Sequence, residues 1–427
     1  PRPTLSLRSV GPVHLAWLEL PVSGFKPAFF EEEGCEGGNS RWAFAPDYPL
    51  NARRLLRAHG LEPGPDTTLL RLSSELAGRR EPYLRELIPP ACLIWSEPRS
   101  QEVLVQNDGL GQAQLYEHED DRLWVLTNRV CALRALGVEL DPEPAEWAAR
   151  FTTGWFPMHR SGFRGVHFLG GGTQLRVGAA GIERSHYDPI PDWVHPPARS
   201  REEGLVLGRQ AILNFVQDAM ELWVKPSVGL SGGWDSRAIT SCLRVLGSPF
   251  DLRVRGQEAH FDVMISAELA RIAGLPHRIK PSGGVPQPSA EGCRASISKA
   301  LLWQAGAFTT LKHKTFLAKA ADDRLDGGVV NVMGQHGGIG KADFAVKIRA
   351  QDLAPAQYED RLVEVLMKDA PRFLRPELAL GVRETLRASY RQADPYDLHG
   401  RGPLHFFFLQ EFTRRWSSAT LASQTGL

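Results

Sequence analysis

The sequence predicts an α/β protein in two parts: a strand-rich region over residues 1–190 and, from 200 to 427, alternating strands and helices of the kind that build a parallel sheet. Three observations carry this expectation. Short apolar or alternating runs separated by turn residues fill the first region. A proline-dense stretch over residues 188–197 then interrupts the pattern, resists regular structure and reads as a linker. Beyond it the hydrophobic period changes, and strand-like and helix-like segments follow one another.

In chain order, the strand candidates of the first region are Trp17-Leu18-Glu19-Leu20, Cys92-Leu93-Ile94-Trp95, Glu102-Val103-Leu104-Val105 and Leu123-Trp124-Val125-Leu126. After the linker, residues 205–223 carry Ile212, Val216, Ala219 and Trp223 on one helical face. Ser227-Val228-Gly229-Leu230 is a short buried-type strand running into a glycine-rich turn. A helix over 235–246 stops at Gly247, and Asp251-Leu252-Arg253-Val254-Arg255 alternates like a strand. Another helix starts at Asp262 as N-cap and stops at Gly274. Val329-Val330-Asn331-Val332-Met333 is a third strand. Ligands of parallel sheets bind at the carboxyl ends of the strands. The loops after Leu230, Val254 and Met333 are therefore where function is expected.

Composition bounds the rest. At about 150 residues per domain, 427 residues make two or three domains. Lys and Arg number 50 against 49 Asp and Glu, so a general electrostatic grip on nucleic acid or an anionic membrane is not indicated. No run of about 18 apolar residues occurs, and the N-terminus lacks the apolar core of a secretory signal. Cys35, Cys92, Cys131, Cys242 and Cys293 are odd in number and form no CxxC pair, which points to reduced thiols in a cytoplasmic protein. Pro1 is not an initiator Met and a helical pattern runs almost to Leu427, so residues are expected beyond both ends.

The sharpest signal is Leu230-Ser231-Gly232-Gly233-Trp234-Asp235-Ser236. Its glycines let the backbone turn sharply and pass close to a ligand. The N–H groups of such a loop and of the following helix end form an anion cradle, to which Ser231 and Ser236 add hydroxyls. Asp235 suits such a site if Mg²⁺ lies between it and the phosphates. It is not a Walker A loop, because no GK[ST] occurs within it. A plain Ser/Gly turn with an Asp N-cap is the alternative.

These residues resemble a known family. SGGWDS is similar to the SGGxDS pyrophosphatase loop of the asparagine synthetase superfamily, whose members activate a carboxylate as an acyl-adenylate. Asp108-Gly109-Leu110-Gly111-Gln112-Ala113-Gln114-Leu115-Tyr116 resembles the DRLGxxPLY stretch of its glutaminase-type domain, and Phe261-Asp262 with Ser266 its Y-D-E-S helix start. Gly154-Trp155-Phe156-Pro157 through Leu169 resembles the stretch leading into its linker. The resemblance implies a degenerate glutaminase-like (Ntn-type) domain over 1–190. It implies a synthetase domain over 200–427 whose sheet is of the adenine-nucleotide α-hydrolase type. It implies that Leu230 and Val254 hold adenine through backbone groups. Ser231, Gly232, Gly233, Asp235 and Ser236 would hold pyrophosphate and Mg²⁺, and Met333 and Gly334 would contact the nucleotide.

The chain also departs from that pattern. Pro1 stands where glutamine-using members place a catalytic Cys, Cys35 lies in EEEGCEGG, and the glutamine-binding runs are missing, so no glutaminase activity is expected. After the third strand the family's GDGADE-type run is replaced by Gly334-Gln335-His336-Gly337-Gly338-Ile339-Gly340-Lys341-Ala342-Asp343. Asp343 is the expected second metal ligand ahead of His336, since a hard cation favours oxygen. Lys341 reads equally as a phosphate contact or a solvated loop lysine. The segment from Phe406 to Trp416, with its Arg414-Arg415 pair, resembles a C-terminal helix of lasso-peptide macrolactam cyclases and is a ground for expecting a peptide substrate. A core helix with surface arginines is the alternative, and Glu411 and Arg415 are spaced to pair. The expected activity is an ATP- and Mg²⁺-dependent amide ligase acting on a precursor peptide, with a leader-processing protease as possible partner. The alternatives are a β-lactam-synthetase-like or asparagine-synthetase-like ligase, or a nucleotide-binding scaffold without catalysis.

Overall fold

The computed structural model describes residues 4–19, 29–32, 41–64, 67–78, 80–97, 101–195, 197, 199–222, 226–280, 289–292, 294, 331–332, 334 and 341–418. Strands β1 (Thr4–Val10) and β2 (Val13–Glu19) form an antiparallel hairpin. A six-stranded antiparallel sheet contains β3 (Phe29–Glu32), β4 (Arg41–Asp47), β5 (Cys92–Glu97), β6 (Glu102–Asn107), β10 (Thr173–Gly178) and β11 (Gly181–His186), in the order β11-β10-β6-β5-β4-β3. A three-stranded sheet, β8-β7-β9, is made of β7 (Tyr116–Glu119), β8 (Trp124–Thr127) and β9 (Val166–Phe168).

Period-two alternation divides the large sheet between two cores. Leu93, Trp95 and Leu104 face the helices α1 (Ala52–Ala58), α2 (Thr68–Gly78) and α3 (Arg80–Glu86), packing with Leu55, Leu69, Leu72 and Tyr83. Cys92, Ile94 and Val105 point the other way and meet Trp124 and Leu126 of the small sheet. Val125, Tyr116 and Val166 then face Val130 and Leu133 of α4 (Val130–Ala135) and Trp147 of α5 (Pro144–Thr153). The result is four layers, helix–sheet–sheet–helix.

The second region begins with α6 (Ile190–Val194) inside the proline-dense stretch, which corrects the expectation that it resists regular structure. Its prolines occupy the N-cap and the first turn, where a missing N–H costs nothing. The expected helix over 205–223 is α7 (Arg201–Met220), opened by a Ser200–Glu203 capping box. Its expected apolar face is only part buried: Val216 and Ala219 are covered, Ile212 is exposed, and Trp223 lies outside the described residues. A parallel sheet follows, β14-β13-β12-β15, from β12 (Ser227–Gly229), β13 (Asp251–Arg255), β14 (His277–Lys280) and β15 (Asn331–Val332). Val228, Leu230 and Leu252 pack with Leu243 of α8 (Trp234–Val245) and Ala270 of α9 (Phe261–Ala273).

The C-terminal helices are α10 (Asp343–Lys347), α11 (Tyr358–Leu366), α12 (Pro376–Tyr390) and α13 (Gly402–Phe407), the last continuing as a π-helix over Phe408–Ser417. They share one core with Ala148, Ala149 and Trp155, so the end of the chain packs back onto the first region. The protein is thus a mixed α/β fold with several sheets, one of them parallel. Among the described residues no helix is long and apolar enough to cross a membrane.

Candidate functional site

The parallel sheet reverses its strand order at β12. Successive strands β13 and β14 are laid down on one side of it, and β15 returns to the other. The crevice outside the carboxyl ends of strands at such a switch point is where open α/β sheets bind ligands. Two segments border it here: the 231–236 loop after β12, and Gly334 after β15.

The loop is held from within and from α9. Leu230 is buried, and its N–H donates to the Arg253 carbonyl (2.9 Å), tying the end of β12 to β13. The Ser231 N–H donates to Ser236 Oγ (3.1 Å), and the Gly233 N–H to Ser231 Oγ (3.2 Å). The Gly232 N–H donates to Asp262 Oδ1 (3.0 Å). Asp262 is therefore not the N-cap expected of it. His260 caps α9 by accepting the Asp262 N–H at Nδ1 (3.3 Å), leaving the carboxylate to reach the loop. This role of Asp262 had no signal in the sequence beyond its place beside Phe261 and Ser266.

The helix after the loop starts without a side-chain cap, with Gly233 in extended geometry at the N-cap position. The first-turn N–H groups of α8 have no partner inside their own helix, and they lie at the positive end of its dipole. Gly334 lies directly against this turn. A Cβ there would sit 2.3 Å from the Asp235 carbonyl carbon and 2.5 Å from the Ser236 nitrogen, so only glycine fits. Lys341 returns to the same place, with Nζ 2.7 Å from Asp235 Oδ2. Val254 is buried at the end of β13, one strand away. Met333 and His336 lie outside the described residues, as do Cys35 and Cys293. The amides of residues 231–233 and the two hydroxyls are engaged within the loop and with Asp262. What the turn offers is therefore the first-turn N–H groups of α8 and an ammonium beside them, which suit a phosphate-like oxyanion.

Among the described residues, each carboxylate that could hold the divalent ion implied by the resemblance already has a protein partner at one oxygen. Asp235 is held by Lys341, and Asp343 by Lys347 at 2.7 Å within α10. The Asp262 carboxylate is engaged by Gly232. Among the described residues no group of three or more His, Cys, Asp or Glu side chains is placed to hold a metal. The structure thus brings Asp235 together with Lys341, and not with Asp343.

A second polar cluster lies where the first region meets the C-terminal helix. Glu411, fully buried, accepts hydrogen bonds from Trp155 Nε1 (2.8 Å), the Met158 N–H (2.9 Å) and Ser389 Oγ (2.5 Å). Its expected i,i+4 partner Arg415 is not bonded to it. Arg415 lies over the Phe168 ring, 4.7 Å from the centroid, and both it and Arg414 are buried, where surface arginines were expected. Arg414 and Arg415 each direct an Nη2 at His159 Nδ1 (3.4 and 3.5 Å). Burial, reinforced by these two guanidiniums, pushes the His159 pKa down to about 3. Burial raises that of Glu411, against the pull of its hydrogen bonds. The Asp108 stretch completes the junction: its carboxylate accepts the Leu110, Gln112 and Ala113 N–H groups, while Gln112 and Gln114 donate to the Thr413 and Arg415 carbonyls. These groups bond mostly to one another, although among the described residues the buried Nε atoms of Arg414 and Arg415 have no hydrogen-bond partner.

No known protein family matches this sequence, and no curated protein does. Among solved structures, the chain is similar to the glutamine phosphoribosylpyrophosphate (PRPP) amidotransferase from B. subtilis complexed with ADP and GMP. The two are 11% identical, over 83% of this chain and 77% of that one, with a TM-score of 0.26. A likeness this distant carries no argument about activity.

Proposed function

We propose that the chain is an ATP-dependent, AMP-forming amide ligase. The observation that carries the reading is the 231–236 loop, set between a parallel strand and an uncapped helix start at the switch point of the sheet. In the reaction, a carboxylate oxygen bonds to the α-phosphorus of ATP as the bond to the bridging oxygen breaks and pyrophosphate leaves. An amine nitrogen then bonds to the acyl carbon, AMP departs with the bonding electrons, and the nitrogen loses a proton. The chain's residues act by position and charge: Ser231 and Ser236 hold the loop in shape, and the first-turn amides of α8 take up charge building on the departing phosphates. No step is assigned to a metal.

The acyl and amine partners rest on the resemblance alone. It implies a precursor peptide whose own amine closes a ring, with β-lactam and asparagine chemistry as alternatives. Arg414 and Arg415, on which the peptide expectation leaned, are buried at the junction and lend it no support.

Exchange of radiolabelled pyrophosphate into ATP tests the reading. With a panel of peptide and amino-acid carboxylates, label should enter ATP, and Asp235→Ala should slow it by about 100-fold or more. No exchange with any carboxylate would instead favour a scaffold without catalysis, and exchange at the parent rate in that variant would place the chemistry away from this loop.

A further inference from the structure

We infer that Lys341 is the resident counter-cation of the polyphosphate site, standing at the 231–236 loop where a divalent ion would otherwise be needed. The inference rests on the phosphate-binding reading above and deepens it.

Three features carry it. The first is position. Gly334 presses on the Asp235 and Ser236 backbone, and the Lys341 ammonium meets Asp235 Oδ2 at 2.7 Å. The second is anchorage. Lys341 lies two residues before α10, whose Phe344 is buried with its ring 5.4 Å from that of Phe407 and 5.7 Å from that of Phe408. The backbone carrying this ammonium is thereby tied to the C-terminal core, unlike that of a solvated loop lysine. The third is the donor set: among the described residues Asp262 accepts the Gly232 N–H at the loop, and Asp343 is paired with Lys347 within α10 rather than brought to Asp235.

The pair itself adds little to stability. Its side chains are 54% and 33% exposed, and ion pairs so exposed contribute under about 1 kcal/mol. What it supplies is a placed positive charge. An ammonium has three donors, so Lys341 can keep Asp235 and still bind a phosphate oxygen beside the α8 amides. Asp235 is then a positioning residue for Lys341. The consequence is that polyphosphate binding does not require a metal.

Isothermal titration of the full chain with inorganic pyrophosphate, and separately with ATP, in EDTA and in excess Mg²⁺, tests this. In EDTA the parent should bind within about tenfold of its affinity in Mg²⁺. Lys341→Ala should weaken binding in EDTA by about tenfold or more, and Lys341→Arg should retain most of it. An unchanged thermal midpoint in Lys341→Ala would show that the loss is not one of folding. Binding seen only with Mg²⁺, or unaffected by Lys341→Ala in EDTA, would overturn the inference and leave the phosphate reading standing. No binding in either condition would overturn both.

Discussion

Charges converge in two places in this molecule, and they do so under opposite conditions. At the junction, Glu411, Arg414 and Arg415 are buried, and Glu411 is surrounded by donors from Trp155, Met158 and Ser389. At the switch point, Asp235 and Lys341 are part exposed and hold mainly each other. Low dielectric makes the first set costly to disturb, whereas water and salt make the second easy to exchange. A buried cluster bonded mainly to itself fixes how elements meet. An exposed pair beside uncapped amides is available to a ligand.

The largest expected effect breaks the buried side. Glu411→Ala leaves three buried donors without their acceptor and removes the negative charge that offsets the two buried guanidiniums, and should cost about 3–5 kcal/mol in denaturant unfolding. Lys341→Ala should cost under about 1 kcal/mol in the same measurement. Equal losses would erase the contrast. A smaller effect is expected at Gly334→Ala, where the new Cβ meets the Asp235 and Ser236 backbone and nothing there can yield cheaply. It should cost about 1–3 kcal/mol and weaken pyrophosphate binding together with stability. Normal binding in a stable Gly334→Ala protein would show that the β15 end does not shape the site.

The third effect is a pH dependence confined to the junction. His159 stays neutral in the folded chain down to about 3, while in the unfolded chain it takes a proton near 6.5. The unfolded state therefore binds more protons between those values, and stability falls as pH is lowered through that window. Glu411 and Asp108, with raised values, act in the opposite sense. Both are retained in His159→Gln, so unfolding midpoints of parent and variant at pH 7 and pH 4.5 isolate the histidine. The variant should lose less stability on acidification. An identical or steeper loss would place the acid sensitivity elsewhere.

How far each region was legible in the sequence follows the range of its interactions. The 231–236 loop was legible because its glycines, hydroxyls and flanking elements are neighbours in the chain. Lys341 was visible only as a lysine of undecided role, because its partner is 106 residues away. Asp262 looked like an N-cap because its carboxylate partner, Gly232, is 30 residues away, and His260 could take the cap instead. The helices α1 to α3 were not anticipated. At 7 residues, α1 and α3 are shorter than the windows in which helical periodicity emerges. The paired arginines read as surface residues because charged side chains almost always are. Their burial depends on Glu411, His159 and the Phe168 ring, which only the tertiary fold assembles.

The most direct test of the central claim, that polyphosphate binds at the β12–α8 turn, is amide hydrogen exchange by mass spectrometry with and without saturating ATP. The account predicts slowed exchange in peptides covering 230–238 and 260–266, and little change over 402–418, where the buried junction is already protected. Protection over 402–418 with none over 230–238 would contradict it.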